Sequence, residues 1–190
     1  MIKIIQATNT VLSAPTKTII DIDKSMRRLI KDMEEVLISA HDPEGVGLAA
    51  PQVGKSLKLF LVKQTPRSPT LVFINPVIEK FIGQISPAAA SATGVKDNVG
   101  NNEIALEGCL SLYSTWGKVK RYPEIILSYQ DEESKTHKKK FKGFIATIIQ
   151  HEYDHLQGIL FPKRVLEQKG ELFKSVKNEK GENVFEKIEI

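Results

Sequence analysis

Two histidines stand one helical turn apart in a segment, residues 144–157, whose apolar spacing predicts a helix. His151 and His155 belong to an H-E-x-x-H pattern, so both imidazoles lie on the same helical face and can reach one metal ion. Glu152 is rotated by ~100° from His151, which favours contact with a metal-bound water over direct ligation. The pattern favours a metal site, and the alternative is a pair of histidines that satisfy buried hydrogen bonds.

A catalytic metal site of this kind needs a third protein ligand and an open position for water. The candidates are Cys109, His41, His137 and the carboxylates. Cys109 stands out because it follows a glycine in E-G-C-L-S, residues 107–111, where the backbone can approach a metal closely. A thiolate is also a tight ligand for a divalent cation. The alternative for this lone cysteine is a small buried hydrophobic residue.

A third segment, residues 45–52, reads G-V-G-L-A-A-P-Q. No G-K-S/T follows its glycines, so it does not have the usual pattern of a phosphate-binding loop. Its small residues and strand backbone would suit an extended peptide bound by main-chain hydrogen bonds. Gln52 supplies an amide donor that can hold an oxyanion. The alternative is a tight turn into a strand, which these residues alone favour.

The remaining pattern predicts an α+β fold, with antiparallel sheets around the helix that carries the two histidines. An N-terminal amphipathic helix, residues 22–40, precedes them. Asn75-Pro76 is expected to end one strand, and the last two strands are expected to form a hairpin. The predicted strands cover residues 57–62, 71–74, 77–82, 124–129 and 136–141.

Two further segments lack the pattern of a regular core element. Residues 83–102 are rich in Ala, Ser, Gly, Asn and Pro without periodicity, which predicts a long surface loop. The charged tail, residues 164–190, predicts a hairpin, with a helix from Val165 as the alternative. We expect this tail to be an extension of the same unit as residues 1–163, which would form the catalytic domain.

Composition narrows the class of protein. The 190 residues are 41% hydrophobic and 26% charged with a formal net charge of +4, which is ordinary for a soluble globular domain. No signal peptide and no run near ~20 apolar residues is visible. One cysteine cannot form an intramolecular disulfide, so we expect a cytoplasmic protein without a membrane partner. Residues 135–142 carry five lysines and predict a solvated face, with a ribosomal or nucleic-acid contact as the alternative.

Taken together, the three segments resemble the peptide deformylase family. The family signatures are G-φ-G-φ-A-A-x-Q (φ is apolar), E-G-C-L-S and Q-H-E-x-D-H-L-x-G, and they stand here intact and in order at residues 45–52, 107–111 and 150–158. The resemblance extends from the first helix to Phe161. It implies a hydrolase that removes the N-formyl group from the N-terminal formylmethionine of nascent proteins.

The resemblance also implies the catalytic roles. Glu152 would be the general base and then the acid toward the leaving amine. Gln52 and the backbone N–H of Leu110 would hold the oxyanion. One divalent ion is implied, with Fe²⁺ as the working ion and Zn²⁺, Ni²⁺ or Co²⁺ as substitutes. Its ligands would be Cys109, His151 and His155.

By the same resemblance, the substrate peptide would pair with the backbone around Val46 and Gly47. Arg121 matches a basic residue that the family often places beyond the cysteine motif, with a plain surface charge as the alternative. The pocket for the methionine side chain would draw on Val46, Ala105, Phe144, Thr147 and Ile148.

The chain departs from the family pattern at three places. An apolar residue and a proline usually follow the cysteine motif, whereas this chain reads Leu112-Tyr-Ser-Thr-Trp116. Thr10-Val-Leu-Ser13 stands where P-x-L-R is familiar, and Thr147 is polar for a methionine pocket. The first and third departures bear on substrate affinity and side-chain preference, and none touches the metal ligands or Glu152.

The expected partners are N-formylmethionyl nascent peptides and the ribosome near its peptide exit, but not DNA. Two other functions fit parts of the pattern. A zinc endopeptidase would take its third ligand downstream, where no histidine remains after Gly158 and only Glu167 and Glu171 are available. A deformylase-like binding module would keep the metal without activity, although binding alone would not require Glu152 and Gln52.

Overall fold

The computed structural model describes residues 2–41, 43–87, 106–179, 181 and 183–189. The helices in these ranges are α1 (Lys24–Ser39), α2 (Phe144–Leu156) and α3 (Phe161–Glu167), with short 3-10 helices at Thr10–Ser13 and Ala50–Val53. The strands are β1 (Gly47–Ala49), β2 (Leu59–Val62), β3 (Leu71–Ile82), β4 (Ser86–Pro87), β5 (Glu107–Cys109), β6 (Leu112–Gly117), β7 (Lys120–Arg121), β8 (Glu124–Gln130), β9 (Thr136–Lys142), β10 (Leu172–Lys177) and β11 (Asn183–Lys187).

The largest sheet has the strand order β1-β2-β3-β8-β9, and all its neighbouring strands are antiparallel. In β2 the residues Leu59, Phe60, Leu61 and Val62 are all fully buried. Since successive side chains of a strand point to opposite faces, this sheet is covered on both faces. Strand β1 lies at one edge, where its outer side has no neighbouring strand among the described residues.

The helices α1 and α2 cover opposite faces of the sheet. Leu59 and Leu61 pack in one cluster with Met33 and Leu37 of α1, whereas Phe60 packs in a second cluster with residues of α2. Helix α1 begins at Lys24 because the Asp23 carboxylate accepts a hydrogen bond from the backbone N–H of Met26 at 2.8 Å.

Asn75 and Pro76 do not end a strand, so that part of the strand prediction is wrong. Strand β3 continues through them with a shift of register against β8 between Ile74 and Val77. Asn75 has a positive φ of 49°. Its side chain accepts from the N–H of Ile19 at 2.8 Å and donates to the carbonyl of Ile19 and to Gln130. These contacts with distant residues hold the irregular backbone inside the sheet.

A second sheet has the order β11-β10-β6-β5, and β4 pairs with β7. The buried cluster beside the four-stranded sheet contains Cys109, Val119, Phe161 and Val165. The tail forms a hairpin of β10 and β11 after α3. Helix α3 runs through residue 163, where the sequence analysis placed the boundary between the catalytic domain and its extension. The loop prediction for residues 83–102 is wrong at Ser86–Pro87, which pair with Lys120 and Arg121, and the stretch from residue 88 lies outside the described residues.

The expected α+β architecture with antiparallel sheets is therefore confirmed. The predicted hairpin of residues 124–129 and 136–141 is also confirmed, as β8 and β9. In the part of the chain that the structure describes, none of the helices has the length and apolar character needed to cross a bilayer.

Candidate active site and metal centre

Cys109, His151 and His155 meet where β5 faces α2. One ligand atom from each residue lies within 4.8 Å of the others, and Cys109 Sγ is 3.3 Å from His155 Nε2. Cys109 is 3% exposed and His155 is 1% exposed, so the ligand atoms are shielded from bulk water. One thiol and two imidazoles that converge in this way are a donor set that suits Zn²⁺, Fe²⁺, Co²⁺ or Ni²⁺. The residues present therefore fit a divalent ion with an open position.

The His151 ring is fixed on the side away from the thiol. Its Nδ1 lies 3.1 Å from Glu107 Oε2, which leaves Nε2 for an ion. The ring also stacks on Phe161 of α3, with centroids 6.2 Å apart and 27° between the planes. Histidines that bind metals usually have a carboxylate on the second ring nitrogen, which sets the tautomer and the orientation of the ring.

Glu107 belongs to a buried network of charges. Arg121 donates from Nε and Nη2 to the two Glu107 oxygens at 2.8 and 2.9 Å, and from Nη1 to Asp154 Oδ2 at 2.6 Å. Arg164 donates to both oxygens of Asp154 at 2.7 and 3.1 Å. Asp154 is on α2 between the two histidines, so the network ties α2 to β5, β7 and α3.

The ion-pair network and the Cys109 thiol shift the pKa values of the ionisable groups in this site. Burial opposes ionisation of Glu107, but the charge and hydrogen bonds of Arg121 outweigh it and lower the pKa of Glu107 to about 2. Burial also opposes protonation of His151, yet hydrogen bonds to Cys109 and Glu107 raise its pKa well above the ordinary value. Burial, followed by the charge of His151, lowers the pKa of His155 well below its ordinary value. The surroundings of His151 thus favour a positive charge at this point.

Glu152 lies beside the ligands and is 3% exposed. Its Oε2 has no hydrogen-bond partner among the described residues. Burial, opposed by the charge of His151, raises the pKa of Glu152 to about 7. A Cβ at Gly47 would come within 2.2 Å of Glu152 Oε1, so the backbone of β1 closes over this carboxylate only because residue 47 is glycine.

Gln52 is held with its amide nitrogen toward the thiol. Its Oε1 accepts from the backbone N–H of Ala49 at 2.8 Å, and its Nε2 lies 3.5 Å from Cys109 Sγ. The residue is 1% exposed and sits in the 3-10 helix that follows β1. Leu110, next to Cys109, packs half-buried against the cluster that contains α1.

The expected substrate residues fall on two elements. Val46 and Gly47 are at the start of edge strand β1, where the Val46 carbonyl accepts from the N–H of Lys63 at 2.8 Å. Three residues of α2 lie one or two turns before the histidines on the same helical face. They are Phe144, Thr147 and Ile148. Ala105 lies outside the described residues.

Arg121 is not a surface charge, since it is 6% exposed. Its guanidinium is engaged by Glu107 and Asp154, which does not favour the direct contact with substrate that the sequence analysis expects. Sequence reasoning did not identify the roles of Glu107 and Asp154, although both stand inside the recognised motifs. Asp154 follows His151 by three residues on α2, and that spacing was the available signal for a residue near the site.

Comparison with known proteins identifies the family of this chain. The model of the family described as Polypeptide deformylase matches residues 1–171. The chain is 40% identical over 163 residues to "Peptide deformylase 2" of Prochlorococcus marinus, which covers 84% of this chain and 71% of that protein. It is 36% identical over 166 residues to "Peptide deformylase 1" of Bacillus cereus, covering 87% and 92%.

A solved structure is similar over most of its length. The peptide deformylase of Synechococcus elongatus, crystallised in complex with actinonin, superposes with a TM-score of 0.72 at 33% identity, covering 86% of this chain and 78% of that one. The chain belongs to the peptide deformylase family, whose metal-dependent hydrolases remove the N-formyl group from nascent proteins.

Proposed function

We propose that this chain performs deformylation at a divalent metal site held by Cys109, His151 and His155. The observation that carries the proposal is the convergence of their ligand atoms within 4.8 Å, beside Glu152, whose Oε2 has no hydrogen-bond partner in the described part of the chain. Fe²⁺ is the proposed working ion, with Zn²⁺, Ni²⁺ or Co²⁺ as substitutes, because this donor set accommodates all four. A bound divalent ion supplies Lewis acidity, which polarises a carbonyl oxygen and makes water a stronger nucleophile near neutral pH.

Glu152 is the proposed proton carrier. It accepts a proton from the water that attacks the formyl carbon, and it delivers that proton to the amine nitrogen as the C–N bond breaks. The products are formate and a peptide with a free N-terminal amine. Its burial supports this role, since a carboxylate that is screened from bulk water, with an Oε2 that has no partner among the described residues, is available to the reacting groups.

Gln52 and Leu110 are the proposed oxyanion donors. The Gln52 amide is fixed through its oxygen by Ala49. Its Nε2 donates to Cys109 Sγ at 3.5 Å, and the second hydrogen of the same NH₂ group is the proposed donor to the oxyanion. The Leu110 backbone N–H directly follows Cys109 in the chain. Donors that are held in place before the reaction stabilise the developing negative charge without reorganisation.

The substrate peptide is proposed to bind as an added strand along β1. This strand is at the edge of its sheet, and edge backbone can pair with an extended peptide through main-chain hydrogen bonds around Val46 and Gly47. The methionine side chain would then contact the face of α2 formed by Phe144, Thr147 and Ile148. Ala105 is also proposed to line the methionine pocket, on the basis of the family resemblance alone. Arg121 is proposed to act through Glu107, by holding it against His151, rather than on the peptide.

The region beyond residue 163 is proposed to belong to the same unit as the catalytic region 1–163. Pairing of β10 with β6 and packing of Val165 beside Cys109 support this assignment. The working partners are proposed to be formylated nascent peptides as they leave the ribosome, in the cytoplasm. The five lysines of residues 135–142 lie on or beside edge strand β9, where a contact with ribosomal RNA would be electrostatically favourable.

Formate release from a formyl-methionyl peptide tests the proposed function. Protein purified without oxygen should release formate, lose this activity with a chelator and regain it when Fe²⁺ or Ni²⁺ is restored. An unformylated peptide is the control, because a zinc endopeptidase would cleave it internally. Metal-loaded protein that releases no formate would contradict the proposal and favour a binding module.

A further inference from the structure

Trp116 lies against the backbone just before the proposed ligand Cys109. A Cβ at Gly108 would come within 2.8 Å of the indole Cζ3 and 2.9 Å of Cε3, so the ring occupies the space that any other residue at position 108 would need. Gly108 and Trp116 are also register partners in β5 and β6. The indole therefore rests directly on the strand that carries the thiol.

The C-terminal hairpin holds Trp116 from the other side. The ring of Phe185 on β11 meets the indole edge-to-face, with centroids 5.6 Å apart and 87° between the planes. On β10, Phe173 is the register partner of Trp116. This hairpin lies beyond residue 171, where the match to the family model ends.

The hairpin has its own attachments to the rest of the molecule. Glu171 accepts from Lys118 at 2.5 Å and from Lys187 at 2.7 Å. The Lys118 ammonium also lies 5.2 Å from the centre of the Phe173 ring. Phe185 can therefore be changed while these contacts still hold β10 and β11 on the sheet.

Strand β5 needs such support at the ligand. It has three residues and lies at the edge of its sheet. Its pairing with β6 is regular at Gly108 but shifts before Cys109, which lies opposite Leu112. Between these points the chain passes through Ser114 with a positive φ of 54°. Because ladder hydrogen bonding is irregular there, the position of the thiol depends on side-chain packing around β5.

We propose that Trp116, held by Phe185 of the C-terminal hairpin, is a positioning residue that fixes Cys109 for metal binding. The inference rests on the proposed metal site but is independent of the deformylation step. Residues that orient a metal ligand without touching the ion typically change metal affinity by about 10–100-fold when they are altered.

The chain has one tryptophan and one cysteine, so the indole and the thiol on the strand it packs against can both be observed without labels. We would titrate the full-length metal-free protein anaerobically with Co²⁺, following Trp116 fluorescence together with the thiolate-to-cobalt absorption band. Co²⁺ should quench the fluorescence in step with the appearance of the band. The rate at which Cys109 reacts with a thiol reagent in the metal-free protein gives a second measure of how firmly β5 is held.

Phe185→Ala is the main variant and Val184→Ala is its matched control. Val184 precedes Phe185 on β11, so its side chain points to the opposite face of the hairpin. Phe185→Ala should weaken Co²⁺ binding by at least about 10-fold and speed the reaction of Cys109. Val184→Ala should leave both quantities as in the unaltered protein. Should Phe185→Ala fail to fold, Phe185→Leu keeps most of the buried volume but removes the edge-to-face contact, and it should shift both quantities in the same direction.

Unchanged Co²⁺ affinity and thiol reactivity in a folded Phe185 variant would overturn the inference, as would Trp116 fluorescence that does not respond to bound Co²⁺. Absence of Co²⁺ binding to the unaltered protein would overturn the metal site together with it. Normal Co²⁺ binding and quenching without any formate release would contradict only the proposed function and would support this inference, so the two failures can be told apart.

Discussion

The Gly47 backbone closes so tightly over Glu152 that a Cβ at position 47 would lie within 2.2 Å of the Glu152 Oε1. The same residue begins edge strand β1, which is proposed to bind the peptide. One glycine thus connects two proposed steps, because the backbone that is proposed to pair with the peptide also packs against the proposed proton carrier. The requirement for glycine is steric and comes from packing.

Gly47→Ala should displace the Glu152 carboxylate and lower kcat by about 100-fold, since a misplacement near 1 Å can have that effect. Formate release under saturating peptide would measure it. Gly181→Ala is the control, because no atom of the described residues lies within 4 Å of a Cβ built there, and any strain from its φ of 77° falls on a turn between β10 and β11. A Gly47→Ala enzyme with normal kcat would show that the contact with Glu152 has no catalytic importance.

Gln52→Glu tests the proposed oxyanion donor. The substitution keeps the oxygen that accepts from Ala49 but removes the donor, so kcat should fall by about 10²–10³-fold. Metal content, measured in the same preparation, should remain near that of the unaltered protein. Gln64→Glu makes the same chemical change at a partly exposed site and should keep full activity. If the variant loses bound metal while kcat per bound metal stays unchanged, Gln52 supports the Cys109 thiol and does not donate to the reacting carbonyl.

Arg121→Met should reduce the free energy of unfolding by about 3–5 kcal/mol, because it removes two buried ion pairs. Glu107 would then keep its contact with His151, and Asp154 its contact with Arg164. Urea unfolding of the metal-free protein would measure the change. Lys138→Ala removes an exposed ion pair with Glu79 and should change stability by about 0–1 kcal/mol. A raised KM with unaltered stability would instead restore Arg121 as a residue that contacts the substrate.

The ion pairs of Glu171 should make the attachment of the hairpin sensitive to acid. Hydrogen bonds from Lys118 and then Lys187 lower the pKa of Glu171 from 4.5 to about 2 in the folded protein. A lowered pKa stabilises the fold above the unfolded value, and this stabilisation is lost as the pH falls from 4.5 toward 2. The difference in urea midpoint between the unaltered protein and Glu171→Gln should therefore narrow on acidification through that window. A difference that stays constant would show that Glu171 does not carry this linkage.

Local sequence patterns were sufficient to predict those structural features whose determinants lie within a short stretch of chain. The four-residue spacing of His151 and His155 fixes their common face whatever surrounds the helix. Asp23 and the apolar stripe that follows it likewise indicate α1 with bounds close to those observed. The two strand-like runs of β8 and β9 and the polar turn between them also indicate a hairpin within a short stretch of chain.

The features that the sequence did not predict depend on residues far apart in the chain. Asn75 remains inside β3 because its side chain bonds to Ile19 and Gln130, and no local rule for Asn-Pro contains those partners. The sequence analysis expected Arg121 to contact substrate, with a surface charge as the alternative, and neither reading contains its buried partners Glu107 and Asp154. The contact of Trp116 with Gly108 likewise requires the fold, since it arises from the register of β5 on β6.

The measurement that tests the central claim most directly is made on Glu152→Gln, with bound metal and formate release determined in the same preparation. The account assigns the ion to Cys109, His151 and His155, and it assigns proton transfer to Glu152. It therefore predicts that metal content stays near one ion per chain while kcat falls by about 10²–10⁴-fold. Near-normal formate release by the metal-loaded variant, or loss of the metal itself, would contradict this division of roles.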